Sequence, residues 1–134
     1  MHIIVYCGAS TGQNPVYLKA AEALGTWMAQ HNYGLVYGGG NVGLMGHLAD
    51  TVKQHQGHVV GVMPKFLEEK EIAHQGLDEL IIVDTMAERK AAMLDKGDAC
   101  LALPGGPGTL EEITEMVSWA RIGQNANPVS YTHL

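Results

Sequence analysis

At 134 residues, 46% apolar and 16% charged, the chain has the size and composition of one globular domain rather than of a disordered or fibrous protein. Fourteen acids against eight bases leave a formal net charge of −6, which argues against nucleic acid as a bulk partner, because phosphate backbones are bound by a basic footprint. No apolar run approaches the roughly 20 residues of a membrane span and no basic segment precedes the first apolar run, so the sequence reads as soluble, untargeted and cytoplasmic.

In chain order, a strand is expected at His2 to Cys7. Asn14-Pro15 then opens a helix, with Tyr17, Ala20, Ala21, Leu24, Trp27 and Met28 recurring at helical spacing. Further strands follow at Leu35 to Tyr37, His58 to Met63, Leu80 to Val83 and Ala99 to Leu103. The intervening helices run from Asn41 or Val42 to about His55 and from Thr85 to about Lys96. A fourth spans Thr109 to about Ile122, with Ile113, Val117 and Ala120 on one face. Pro64 to Glu79 is less regular and reads as a short helix with a loop over the site. Continuously apolar strands alternating with helices specify a parallel sheet covered on both faces. The expected fold is a single α/β domain, a Rossmann-like doubly wound parallel sheet, whose ligands collect at the carboxyl ends of the strands.

Two glycine loops fall at strand ends. Gly38-x-Gly40-x-x-Gly43 lies between a strand and a helix, where glycine lets backbone approach a phosphate and the helix start offers free N–H donors. A tight turn without a ligand is the plain alternative. A dinucleotide site would require an acid at the end of the next strand, and that strand ends Val62-Met63-Pro64, so NAD is not expected. The second loop, Pro104-Gly105-Gly106-Pro107-Gly108-Thr109, lacks the lysine of a nucleoside triphosphate loop.

Thr109 and Glu112 have capping-box spacing, as do Thr85 and Glu88, and on that ground alone both glutamates read as helix caps. Arg89 and Lys90 do not fit so simply, since a cation in a helix's first turns costs about 0.3 to 1 kcal/mol against the dipole. A nearby anion would reverse that sign for Arg89; for Lys90 a solvated face is the plain reading. Seven histidines lack the spacing of a helical metal pair, and no metal site is expected. Trp27, Trp119, Met28, Met45 and Met116 read as core, Glu71 as a loop acid, and Cys7 and Cys100 as buried free thiols.

Taken together, Val5-Tyr6-Cys7-Gly8-Ala9-Ser10, Gly38 to Gly46, Met86-x-x-Arg89-Lys90, the P-G-G-x-G-T-x-x-E signature at Pro104 to Glu112, Trp119-Ala120 and Gly123 resemble the LONELY GUY family. Its members are cytokinin riboside 5′-monophosphate phosphoribohydrolases. The resemblance implies a Rossmann-like homodimer that hydrolyses N6-modified AMP to free base and ribose 5-phosphate, with no cofactor and no metal. It implies Arg89 and Glu112 as the catalytic pair. It also implies substrate contacts from Glu71, Lys90, Gly106, Gly108, Thr109 and Glu111, with Gly39, Gly40 and Gly43 close to the nucleotide. The family pattern continues with another strand and helical segments, so residues 1–123 are read as the hydrolase domain and 124–134 as an irregular tail, truncated or artefactual. Pro107 stands where the family often carries an aromatic or aliphatic residue. The competing reading is a non-catalytic nucleotide-binding or carrier protein of the same fold, which would not need both Arg89 and Glu112. A lysine decarboxylase, a label often given to relatives, would need a pyridoxal-phosphate lysine that neither loop presents.

Overall fold

The computed structural model of the chain describes residues 1–6, 15–41, 43–68, 73–102 and 129–131, with the backbone alone at 15, 16 and 129–131. Its strands are β1 (His2–Tyr6), β2 (Gly34–Tyr37), β3 (Val59–Pro64), β4 (Glu79–Val83), β5 (Ala99–Ala102) and β6 (Val129–Tyr131). They form one sheet in the order β4-β3-β2-β1-β5-β6, and every neighbouring pair is parallel. This is the doubly wound architecture expected. The strand order reverses at β1, which lies between β2 and β5 in the register Ile3↔Leu35 and Ile4↔Cys100. The helix expected from Thr109 to Ile122 and the second glycine loop lie outside the described residues.

Alternation along each strand sorts the core into two faces. Ile3, Val5, Leu35, Tyr37 and Val59 pack with Ala21 and Met28 of α1 (Pro15–Gln30) and with Leu44, Leu48 and Val52 of α2 (Gly43–Gln54). Ile4, Tyr6, Val36, Val60, Val62, Cys100 and Ala102 pack on the opposite face with Met93 of α4 (Met86–Lys96). Between these helices, α3 is a single turn, Lys65–Glu68, in the stretch expected to be irregular. Burial pushes the free Cys100 thiol up to about 11, so it remains protonated at neutral pH. Cys7 lies outside the described residues.

Both α1 and α2 end in the same way. Asn32 (φ 58°) and Gln56 (φ 64°) adopt left-handed backbone. The following N–H groups reach back five residues, Tyr33 to Met28 at 2.8 Å and Gly57 to Val52 at 2.8 Å. Asn32 N–H also bonds the Ala29 carbonyl at 3.1 Å and Gln56 N–H the Lys53 carbonyl at 3.0 Å. These are Schellman closures, which satisfy carbonyls that a helix end would otherwise leave without partners and turn the chain sharply. They deliver it into β2 and β3.

Two sequence expectations are corrected. Val129–Tyr131, within the tail expected to be irregular, pairs in parallel with Cys100–Ala102 as a sixth strand. Trp27, expected in the core, is 43% exposed and instead meets His31 and Tyr33 at the surface, the His31 ring tilted against it and the Tyr33 ring edge-on, with ring centroids 4.8 and 5.2 Å away. The inward face of α1 is carried by Ala21 and Met28, and Trp27 lies about 100° around the helix from Met28.

Candidate active site

Beyond Tyr37 the chain leaves β2 through Gly38, Gly39 and Gly40 and enters α2 at Gly43. Gly39 (φ 86°) and Gly43 (φ 67°) occupy left-handed backbone, which glycine adopts without a side-chain penalty. Three consecutive carbonyls of this turn are held from three directions. Gly38 O accepts from Arg89 Nη2 at 2.8 Å, Gly39 O from the His74 main-chain N–H at 2.9 Å, and Gly40 O from the Tyr37 hydroxyl at 2.7 Å. A trans peptide sends its C=O and N–H to opposite sides, so fixing the Gly38 and Gly39 oxygens also fixes the direction of the Gly39 and Gly40 N–H groups. Such oriented amides at a helix start suit an anion.

The turn also needs room beside it. A Cβ on Gly61 of β3 would lie 2.8 Å from the Gly39 Cα, so the neighbouring strand is bare where the turn passes.

Arg89 reaches the turn from α4. Thr85 caps that helix by accepting the Glu88 N–H at 3.1 Å, while the Glu88 carboxylate accepts the Asp84 N–H at 2.9 Å. The expected capping box is therefore present, with its return bond moved one residue outward. This start directs Arg89 toward the carboxyl ends of β2 and β3, where it is 7% exposed. Its Nε donates to Val62 O at 2.9 Å and its Nη1 lies 3.9 Å from the Met86 sulfur. Two main-chain carbonyls thus hold the guanidinium, and among the described residues no carboxylate pairs with it. A buried guanidinium held only by neutral acceptors among the described residues, beside a glycine turn, is an arrangement that an anion completes. Lys90, read plainly as a solvated face, is instead 7% exposed.

Of the site residues expected from sequence, the structure brings together Gly39, Gly40, Gly43 and Arg89, with Lys90 buried next to Arg89 in α4. Glu71, Gly106, Gly108, Thr109, Glu111 and Glu112 lie outside the described residues. The second glycine loop begins two residues after Ala102, which pairs with Tyr6 at the carboxyl end of β1. Sequence reasoning missed Tyr37 and His74, which brace the turn, and Asp50, which holds the His74 ring. The signal for Tyr37 was a hydroxyl at the last strand position before the glycines. His74 and Asp50 stand 24 residues apart, and no local pattern links them. Among the described residues there is no group of three or more His, Cys, Asp or Glu that could hold a metal ion, and no helix long and apolar enough to cross a membrane.

A model of the family described as possible lysine decarboxylase matches residues 45–133. The chain belongs to this family. Among curated relatives it is 46% identical over 127 residues to the probable cytokinin riboside 5′-monophosphate phosphoribohydrolase LOGL9 of Oryza sativa subsp. japonica, covering 95% of this chain and 56% of that one. It is also 46% identical over 127 residues to the cytokinin riboside 5′-monophosphate phosphoribohydrolase LOG7 of Arabidopsis thaliana, covering 95% of this chain and 58% of that one. These relatives bear out the LONELY GUY resemblance. The chain spans a little over half of their length. Among solved structures, the Moco carrier protein of Chlamydomonas reinhardtii superposes with a TM-score of 0.77 at 23% identity, covering 97% of this chain and 74% of that one. The molybdenum cofactor binding protein of Rippkaea orientalis gives a TM-score of 0.72 at 26% identity, covering 97% and 76%. These likenesses speak to the fold.

Proposed function

We propose that this chain hydrolyses the N-glycosidic bond of N6-modified adenosine 5′-monophosphates, releasing the free base and ribose 5-phosphate. The reading includes a cytoplasmic homodimer working without cofactor or metal. The observation that carries it is the 46% identity over 127 residues with enzymes named for that reaction. The decarboxylase wording of the family description carries less, because the chain's curated relatives are named for the other chemistry.

The geometry around Arg89 supports the same reading. The glycine turn and the P-G-G-x-G-T loop hold the 5′-phosphate and ribose, with Gly39, Gly40, Gly43, Glu71, Lys90, Gly106, Gly108, Thr109 and Glu111 as substrate contacts. Cleavage develops positive charge at the anomeric carbon, and a carboxylate there stabilises that charge or activates the attacking water. That role falls to Glu112. Arg89, already locked to two carbonyls, fixes the nucleotide with little further ordering and eases departure of the base.

The test incubates purified protein with isopentenyladenosine monophosphate and with AMP, following free base by chromatography. Base release is expected, and Glu112→Gln and Arg89→Ala are each expected to lower kcat/KM by ~10²- to ~10⁴-fold. Nucleotide binding without base release in folded protein would overturn the hydrolase in favour of the carrier reading.

A further inference from the structure

His74 makes three connections that the reaction outlined above does not use. Its main-chain N–H donates to Gly39 O at 2.9 Å. Its ring Nδ1 accepts the Gly76 N–H at 2.9 Å, which places the ring proton on Nε2. That Nε2–H donates to Asp50 Oδ1 at 2.5 Å. The His74 side chain is 8% exposed and the Asp50 side chain 49%, so a buried ring is anchored by a carboxylate at the surface of α2.

The connections close a frame. The glycine turn feeds α2 at Gly43, and Asp50 lies two helical turns further along. His74 therefore ties the turn to the helix that the turn opens. The downstream half of its own segment has other anchors: Leu77 packs into the core, and Asp78 bonds both Lys53 and the Val59 N–H. What the His74–Asp50 bond adds falls on the upstream side, at Gly39 O and at the Gly40↔Ala73 bridge.

We propose that His74, anchored by Asp50, is a positioning residue that holds the glycine turn at Gly38 to Gly40 in the geometry that receives the nucleotide. This rests on the reading of that turn as a nucleotide contact. A loosened turn still reaches the reacting geometry, but from more unproductive arrangements, so the defect belongs in binding.

The test compares the wild-type chain with Asp50→Ala, Asp50→Asn, His74→Ala and the double alanine variant, with Asp98→Ala as a control at the opposite ends of the strands. Base release and AMP binding are measured alongside hydrogen exchange of the His74 amide. Asp50→Ala is expected to raise KM for the nucleotide ~10- to ~100-fold with kcat changed by no more than about threefold. Asp50→Asn, which retains an oxygen acceptor, restores KM. The double variant is no worse than the poorer single one, because the two residues act as one unit. The His74 amide exchanges faster in Asp50→Ala and at the wild-type rate in Asp50→Asn. Should His74→Ala fail to fold, the Asp50 pair decides. An unchanged KM in folded Asp50→Ala, with or without faster exchange, overturns the proposal, as does an equal rise in Asp98→Ala. If wild type releases no base, the hydrolase reading fails, and the Kd for AMP with the His74 exchange rate decides the positioning role.

Discussion

An arginine side chain stays charged in proteins, so burying Arg89 among neutral acceptors brings a full positive charge to the end of β2. The fit is close enough that a Cβ at Gly38 would collide with Arg89 Nη2. Gly38→Ala must therefore displace the guanidinium and break its bond to Gly38 O. The expected result is a loss of about 1.5 to 3 kcal/mol in denaturant-measured stability. A fall of ~10- to ~100-fold in kcat/KM should accompany it, with Gly57→Ala as a destabilised comparison outside the site. At this scale the sequence was partly legible. Arg89 stood out because its charge opposes the dipole of its own helix, and the glycines because three lie together after an apolar run. Lys90 looked like surface because its neighbours Ala91 and Ala92 say nothing about which side of α4 is covered. His74 was invisible, since its role depends on a carboxylate in another helix.

The matched ends of α1 and α2 make the elements more regular than their residues suggest. A Schellman closure prefers glycine at the left-handed position, yet this chain uses Asn32 and Gln56. Asparagine tolerates that conformation, whereas glutamine has no short side chain to compensate it. Gln56→Gly is expected to raise stability by about 0.5 to 1 kcal/mol, part of the strain relief being offset by the greater freedom of unfolded glycine. An upward shift of the urea midpoint at constant slope would register it. Helix starts were legible from Pro15 and from Thr85 with Glu88, because caps are local chemistry. β6 was not legible, because Val129-Ser130-Tyr131 is too short to show a period and only its pairing with β5 makes it a strand. Trp27 was misjudged because helical spacing identifies a face but does not show where the covered stripe ends.

At the scale of the whole molecule, two of the titrating groups with shifted values among the described residues, His2 and Asp78, lie at the amino ends of the strands, away from the glycine turn. Burial, reinforced by His58, holds the His2 imidazole below its ordinary range. Burial alone would raise Asp78, but bonds from Lys53 and the Val59 N–H outweigh it and hold the carboxyl below the usual range. Both shifts have the same consequence. The unfolded chain binds protons more readily than the native one, so stability is present at neutral pH and falls on acidification. The His2 contribution fades as pH drops from about 6.5 through its lowered folded value, and the Asp78 contribution as pH drops from about 3.9 through its own. Denaturant titrations across pH should give two descending limbs, the upper flattened by His2→Gln and the lower by Asp78→Asn. A different consequence follows from the place of β1 in the sheet. β1 to β4 can pair in the order in which they are synthesised, but the second edge of β1 must wait for Ala99–Ala102. At synthesis rates of about 5 to 20 residues per second, that edge stays open for roughly 5 to 20 s on the ribosome. An unpaired edge is a template for aggregation. The helix that delivers this strand is α4, which also carries Arg89, so substitutions there should lower the yield of soluble protein independently of any effect on turnover.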